Sequence, residues 1–305
     1  MFDHFVWSVL VVPPLVVLAV RLLADRLPPG RAAAVIAWSA VVTAAASTVN
    51  LALFTVAALA EVPALAGPLG WSPSVVAHDT ASVPWVPWVS LAMLVGVGFA
   101  AGRRWRGHRR ILRLAAAGGP AQRPLVLVPD ETADAFAVPG GPGRRGHVVV
   151  TTGMRDLLTD PQFEALLAHE RAHLDGRHHR LVMLANLAGA AHPALWWVRR
   201  HVAYLVERAA DEDAASHVGN RRTVAHAIGT AALATSGGQP RGLHAALPAG
   251  VVPRRVALLL HPRPAAGRAS LVTALALIPA LALASVVWTG EATIDLVELL
   301  IAAAR

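Results

Sequence analysis

Charge is absent from three long stretches of this chain, residues 32–60, 83–102 and 269–290, and a fourth, 5–23, carries only Arg21 near its end. Each is long enough to cross a bilayer as a helix, and Arg21 is within snorkelling reach of the interface. Between the third and fourth stretches the pattern changes. Residues 117–120 read as a linker, Leu125–Val128 and His147–Thr151 as short strands, and the glycine- and proline-rich run 138–146 as the loop between them. Asp160 before Pro161 reads as the N-cap of a helix whose apolar stripe is Phe163, Leu166, Leu167 and Leu174. Residues 181–198 are apolar for long enough to count as a fifth span, but Asn186, His192 and Pro193 interrupt them, which predicts a helical hairpin packed on or dipping into the inner leaflet. Residues 236–242 and 262–267 read as loops, and no internal repeat is visible. The predicted fold is mainly α: a multi-pass membrane protein with four transmembrane helices and an α+β domain between spans three and four. The expected divisions are 1–102, 103–268 and 269–305.

Composition agrees with a membrane protein. Hydrophobic residues make up 55% of the 305 positions, and the mean hydropathy is +0.51. Asp3 and His4 stand where a secretory leader would carry a basic segment, so the first span is expected to be a retained anchor. Arginine sets the orientation. Arg21, Arg26 and Arg31 flank the first loop, six arginines from Arg103 to Arg113 follow the third span, and Arg254, Arg255, Arg263 and Arg268 precede the fourth. The second loop holds Glu61 and Asp79 instead. The positive-inside rule then predicts both termini outside the cell membrane and the 103–268 segment, Gly143 included, in the cytoplasm. Trp71, Trp85, Trp88 and Trp288 fall where aromatic belts are expected. The formal charge of +8 does not imply nucleic-acid binding: the chain has no lysine, and its arginines are largely accounted for as anchors to anionic lipid.

The chemistry concentrates in His169-Glu170-Arg171-Ala172-His173. On a helix, residues four apart turn through about 400°, so both imidazoles leave one face about 6 Å apart along the axis, with a carboxylate beside the first. This is the zincin signature. With no cysteine in the chain, a third zinc ligand must be histidine or carboxylate. Two residues compete. His179 completes a literal H-E-x-x-H-x-x-G-x-x-H, but on a continuous helix it faces away, and only a break at Gly176 would return it. Glu207 is favoured: Glu207 and Asp211 share a helical face, so Glu207 suits the metal and Asp211 suits orienting a ligating histidine from behind. Zinc held by three protein ligands keeps a fourth position for water and lowers the pKa of that water to roughly 7. Glu170 is the expected general base. Tyr204, His217 and His226 are candidates to stabilise the negative intermediate.

These residues, together with Asp134-Ala135-Phe136-Ala137-Val138-Pro139, residues 148–153 and His192-Pro193-Ala194-Leu195-Trp196, resemble the BlaR/MecR antirepressor type of membrane zinc metallopeptidase, a relative of the Ste/HtpX-like endopeptidases. The resemblance covers most of residues 124–215. It implies a gluzincin fold with His169, His173 and Glu207 as zinc ligands, Glu170 as catalytic base, and a protein substrate such as a winged-helix repressor. Sensor members of that family carry a penicillin-binding domain after the last span. Only about fifteen residues follow it here, and a chain without lysine has no Ser-x-x-Lys acylation site, so sensing by that route is not expected. A Ste/HtpX-like quality-control protease and a non-catalytic, zinc-stabilised membrane transducer are the alternatives.

Overall fold

The computed structural model describes residues 2–117, 123–141, 145–235, 250–262, 264 and 266–304. Gly143, most of the 117–120 linker and all of the 236–242 loop lie outside the described residues, as do positions 263 and 265. The structure is mostly helical. Four helices are long and apolar enough to cross a membrane: α1 (Asp3–Arg26), α2 (Pro29–Ala60), α3 (Val86–Ala117) through its first 25 residues, and, after the intervening elements, α9 (Arg268–Ala303). Their outward faces carry large apolar side chains such as Leu18, Trp38, Phe99 and Val287, the surface that lipid would cover.

Helix α2 is the hub. It packs against α1, α3 and α9 and also against two helices from the central segment, α5 (His178–Ala191) and α6 (Trp196–Val218). These two are the predicted hairpin, and the sequence 181–198 turns at His192 rather than running straight through. The turn is anchored by a specific bond. Within α1, the Val9 carbonyl has no partner four or five residues ahead, because Pro13 and Pro14 lack an N–H, and the helix widens to π geometry over Val6–Val11. The His192 ring reaches this carbonyl, with Nε2 2.8 Å from Val9 O, while its Nδ1 accepts from the Ala194 N–H at 3.2 Å. Leu195 and Val198 are buried with Val12, Val16 and Val20 of α1. The hairpin tip therefore sits among the spans, while Gly30 in the first turn of α2 lies against Ala209 in the second half of α6.

The sheet has three strands, β1 (Leu125–Val128), β2 (Ala135–Val138) and β3 (His147–Thr151), in the order β1-β3-β2, with β1 parallel and β2 antiparallel to β3. Strand β2 was not anticipated. It is four residues long with two alanines and no polar alternation, so its only signal is its pairing with β3. Val148 and Val150 of β3 are buried with Leu166 and Leu167 of α4 (Asp160–Asp175), which fixes this helix against the sheet. Gly153, just after β3, is required by close approach: a Cβ there would lie 2.1 Å from the Glu131 carbonyl oxygen.

The start of α4 differs from the expected cap. Thr159 is the N-cap, its backbone N–H donating to Gln162 Oε1 at 3.1 Å, and Asp160 instead pairs with Arg155. Helices α7 (Arg221–Thr235) and α8 (Val251–Leu260) close the segment by packing on each other and on α4 and α6.

Candidate metal centre

Helix α4 presents His169 and His173, and α6 presents Glu207, so that ligand atoms from the two elements converge. The His169 and His173 Nε2 atoms are 3.2 Å apart, and each lies 3.6 Å from a Glu207 carboxylate oxygen. A tetrahedral zinc ion with bonds of about 2.0–2.2 Å separates its ligands by roughly 3.3–3.6 Å, so the three side chains already hold the spacing such an ion needs. Glu170 is 4% exposed and adjoins the cluster.

The groups behind these three orient them. His169 Nδ1 is 3.0 Å from Asp211 Oδ1, which leaves the Nε2 lone pair facing the cluster. Asp211 in turn receives two bonds from Arg255 of α8, at 2.7 and 2.8 Å, and Arg255 Nη1 lies 2.9 Å from Glu207 Oε2. Burial alone would lower the His169 pKa, but Asp211 and Glu207 raise it to about 9. Burial would raise the Asp211 pKa, and the Arg255 guanidinium with its bidentate hydrogen bonds brings it below the usual value instead. The carboxylates thus favour a positive charge at the histidines, which is what a metal cation supplies.

Two members of this arrangement were not anticipated. Arg255 was read as a juxtamembrane anchor because it precedes the fourth span, yet it is 5% exposed and bound inside the cluster. The signal available was its neighbour: Arg254 is half-exposed and only 3.7 Å from Asp25, while Arg255 falls on the apolar face of α8 with Leu259. The other is His178. A break at Gly176 is present, and Arg177 adopts the left-handed conformation (φ 48°), but the turn brings back His178 rather than His179. His178 Nδ1 is 3.0 Å from His173 Nδ1. For His173 to offer Nε2 to a metal, its Nδ1 must carry the proton and donate to His178, which burial keeps neutral with a pKa lowered to about 4. Gly176 makes room, since a Cβ there would meet His178 Nε2 at 2.4 Å.

The other candidates fall elsewhere. His179 lines a cavity beside the cluster without joining it. Tyr204 is buried under the Arg254 guanidinium, 4.9 Å from its ring centroid, and is absent from that cavity's lining. His217 and His226 are exposed on the outer faces of α6 and α7. The cavity has a volume of about 340 Å³ and lies between α3, the end of β2, α5 and α6, with His173 and Glu207 in its wall. Ala137 and Pro139 border it, so the strand edge beside the candidate metal cluster belongs to β2, while β3 is paired on both sides.

Residues 103–236 match the family model of peptidase family M48. Curated proteins with similar sequence are protease HtpX homologs. That of Sulfurovum sp. (strain NBC37-1) is 33% identical over 86 residues, 27% of this chain and 30% of that protein. That of Aquifex aeolicus (strain VF5) is 34% identical over 84 residues, 27% and 28% of the two chains. That of Methanocaldococcus jannaschii is 33% identical over 84 residues, 27% and 29%. The chain thus spans less than a third of the length of the curated relatives it matches. No solved structure matches. These matches name peptidase family M48 and protease HtpX homologs, and none of them is of the BlaR/MecR type.

Proposed function

We propose that this chain is a membrane-anchored, zinc-dependent endopeptidase. The observation that carries the reading is the convergence of His169 Nε2, His173 Nε2 and the Glu207 carboxylate at 3.2–3.6 Å, beside a buried glutamate. Among the described residues three groups converge, which suits a centre with an open position; a structural zinc is usually closed by four. When bound, zinc would supply a Lewis acid and an acidified water. Glu170 takes the proton of the attacking water and returns it to the leaving amine, and Arg255 holds Glu207 and Asp211 in place behind the ligands. The substrate is a protein, its chain extended along the β2 edge.

The active site faces the cytoplasm and both termini lie outside, as the arginine asymmetry favours. A single cysteine at position 143 of this cysteine-free chain should resist an impermeant reagent on intact cells, while one at position 304 should react; the opposite labelling reverses the topology.

Clipping of membrane proteins, as a Ste/HtpX-like protease, is the reading closest to the matched relatives. Inactivation of a winged-helix repressor is the second, favoured only by the motif resemblance; a repressor encoded in the adjacent reading frame would support it. Glu170→Gln tests the peptidase reading. It should keep zinc and membrane insertion while cleavage falls by ~10² to 10⁴. Uncleaved substrates should accumulate in cells expressing the variant alone. Identical proteomes, with full complementation of a deletion by the variant, would leave the non-catalytic transducer as the better account.

A further inference from the structure

We infer that the cavity beside the metal cluster is a subsite for a carboxylate side chain, so that cleavage occurs next to an aspartate or glutamate. The inference rests on the peptidase reading and adds a substrate class to it. At about 340 Å³ the cavity is at the small end of ligand pockets, with room for one or two side chains. Arg103 and Arg104 of α3 and His179 and Asn186 of α5 line it, and His173 and Glu207 lie where the cavity meets the candidate metal cluster. A side chain bound here would leave its backbone beside the ligands.

The charge of the lining is unbalanced. Glu207 is the only carboxylate among its described residues, and it is committed to Arg255 and the histidines. Arg103 and Arg104 form no ion pair with any described residue. Next to them, Arg199 of α6 is half-buried, and burial together with repulsion from Arg104 and Arg200 lowers its pKa, so cations crowd this wall without an anion between them. A carboxylate entering the cavity relieves that repulsion and accepts charge-assisted hydrogen bonds from Arg103 and Arg104, whose side chains are exposed.

Lipid phosphate is the competing anion, since these arginines follow a membrane span. The helical face separates the two roles. Arg103, Arg104, Gly107 and His108 follow the i, i+4 spacing of one face of α3 and line the cavity, whereas Arg106, Arg109 and Arg110 do not line it and remain available for headgroups.

The test uses the full-length, zinc-loaded protein in phosphatidylcholine vesicles with and without phosphatidylglycerol. The substrates are two quenched-fluorescence peptide libraries that differ only in Asp and Glu against Asn and Gln. Wild type should favour the acidic library in kcat/KM by about tenfold, the scale of one charge-assisted contact. The same preference should appear in peptide binding to Glu170→Gln, where turnover is not needed. Arg103→Gln/Arg104→Gln should bring the ratio close to one, while Arg109→Gln/Arg110→Gln, which removes equal charge outside the cavity, should keep it. A ratio unaffected by Arg103→Gln/Arg104→Gln, or a loss that is equal for both libraries and confined to phosphatidylglycerol vesicles, overturns the subsite and assigns these arginines to lipid. Equal cleavage of both libraries by wild type overturns the subsite alone and leaves the peptidase standing. Cleavage of neither, with no binding preference in Glu170→Gln, removes both.

Discussion

Polar groups are buried in two regions of this protein, and they are satisfied in opposite ways. Along α2, Thr43 and Thr55 donate to the carbonyls of Ser39 and Leu51, four residues back in the same helix. Only a few bonds there cross between helices, such as Asn50 Nδ2 to Thr289 Oγ1 at 2.7 Å and Ser47 Oγ to Ser8 O at 2.6 Å. In the candidate metal cluster the charged partners come from different helices: His169 and His173 on α4, Glu207 and Asp211 on α6, Arg255 on α8. A hydroxyl returned to its own helix can be lost with little consequence. A buried charge whose partners come from three helices leaves an uncompensated charge when any one of them is removed.

The comparison is broken or sharpened most strongly at Arg255. Arg255→Ala strands Asp211 and Glu207 and should destabilise the metal-free protein by about 3–5 kcal/mol, with loss of bound zinc. Thermal unfolding in detergent and metal analysis measure both effects. Arg254→Ala, one residue away at a site 51% exposed, is the control and should change little. If the two variants melt together, the cluster is not the cooperative unit described above.

His178→Ala comes next. Without its acceptor, His173 Nδ1–H is no longer fixed in tautomer or orientation, so zinc affinity should fall by about 10–100-fold while the apo fold persists. Competition with a fluorescent chelator reads this directly, and recovery in His178→Asn, which keeps an acceptor, would attribute the loss to the hydrogen bond rather than to packing. Unchanged affinity would mean that the 3.0 Å contact does not orient the ligand.

The membrane seam should give the smallest effects. Asn50→Ala is expected to cost about 0.6 kcal/mol, the average for an interhelical hydrogen bond in a bilayer. His192→Ala should cost somewhat more, about 1 kcal/mol, because the Val9 carbonyl it serves has no donor within its own helix. Unfolding titrations in mixed micelles rank the two. An Asn50 effect as large as that at Arg255 would erase the distinction between the regions.

The four spans, the helix bearing His169, Glu170 and His173, and the shared face of Glu207 and Asp211 were legible in the sequence, because hydropathy and helical period are written within a few turns of chain. The cap of α4 was misread by a single residue, an error of the size local signals allow. What tertiary structure decided was partnership. Arg255 and Arg254 look alike in sequence, yet only Arg255 enters the candidate metal cluster; Arg104 lines the adjoining cavity while Arg106 does not; and of the adjacent His178 and His179, only His178 contacts a histidine of the cluster. Strand β2 exists through its pairing with β3, and the hairpin turns where His192 finds a carbonyl that two prolines left without a donor. Most of these depend on groups brought together from distant positions, and a buried charge or orphaned carbonyl takes whichever partner the packed chain delivers.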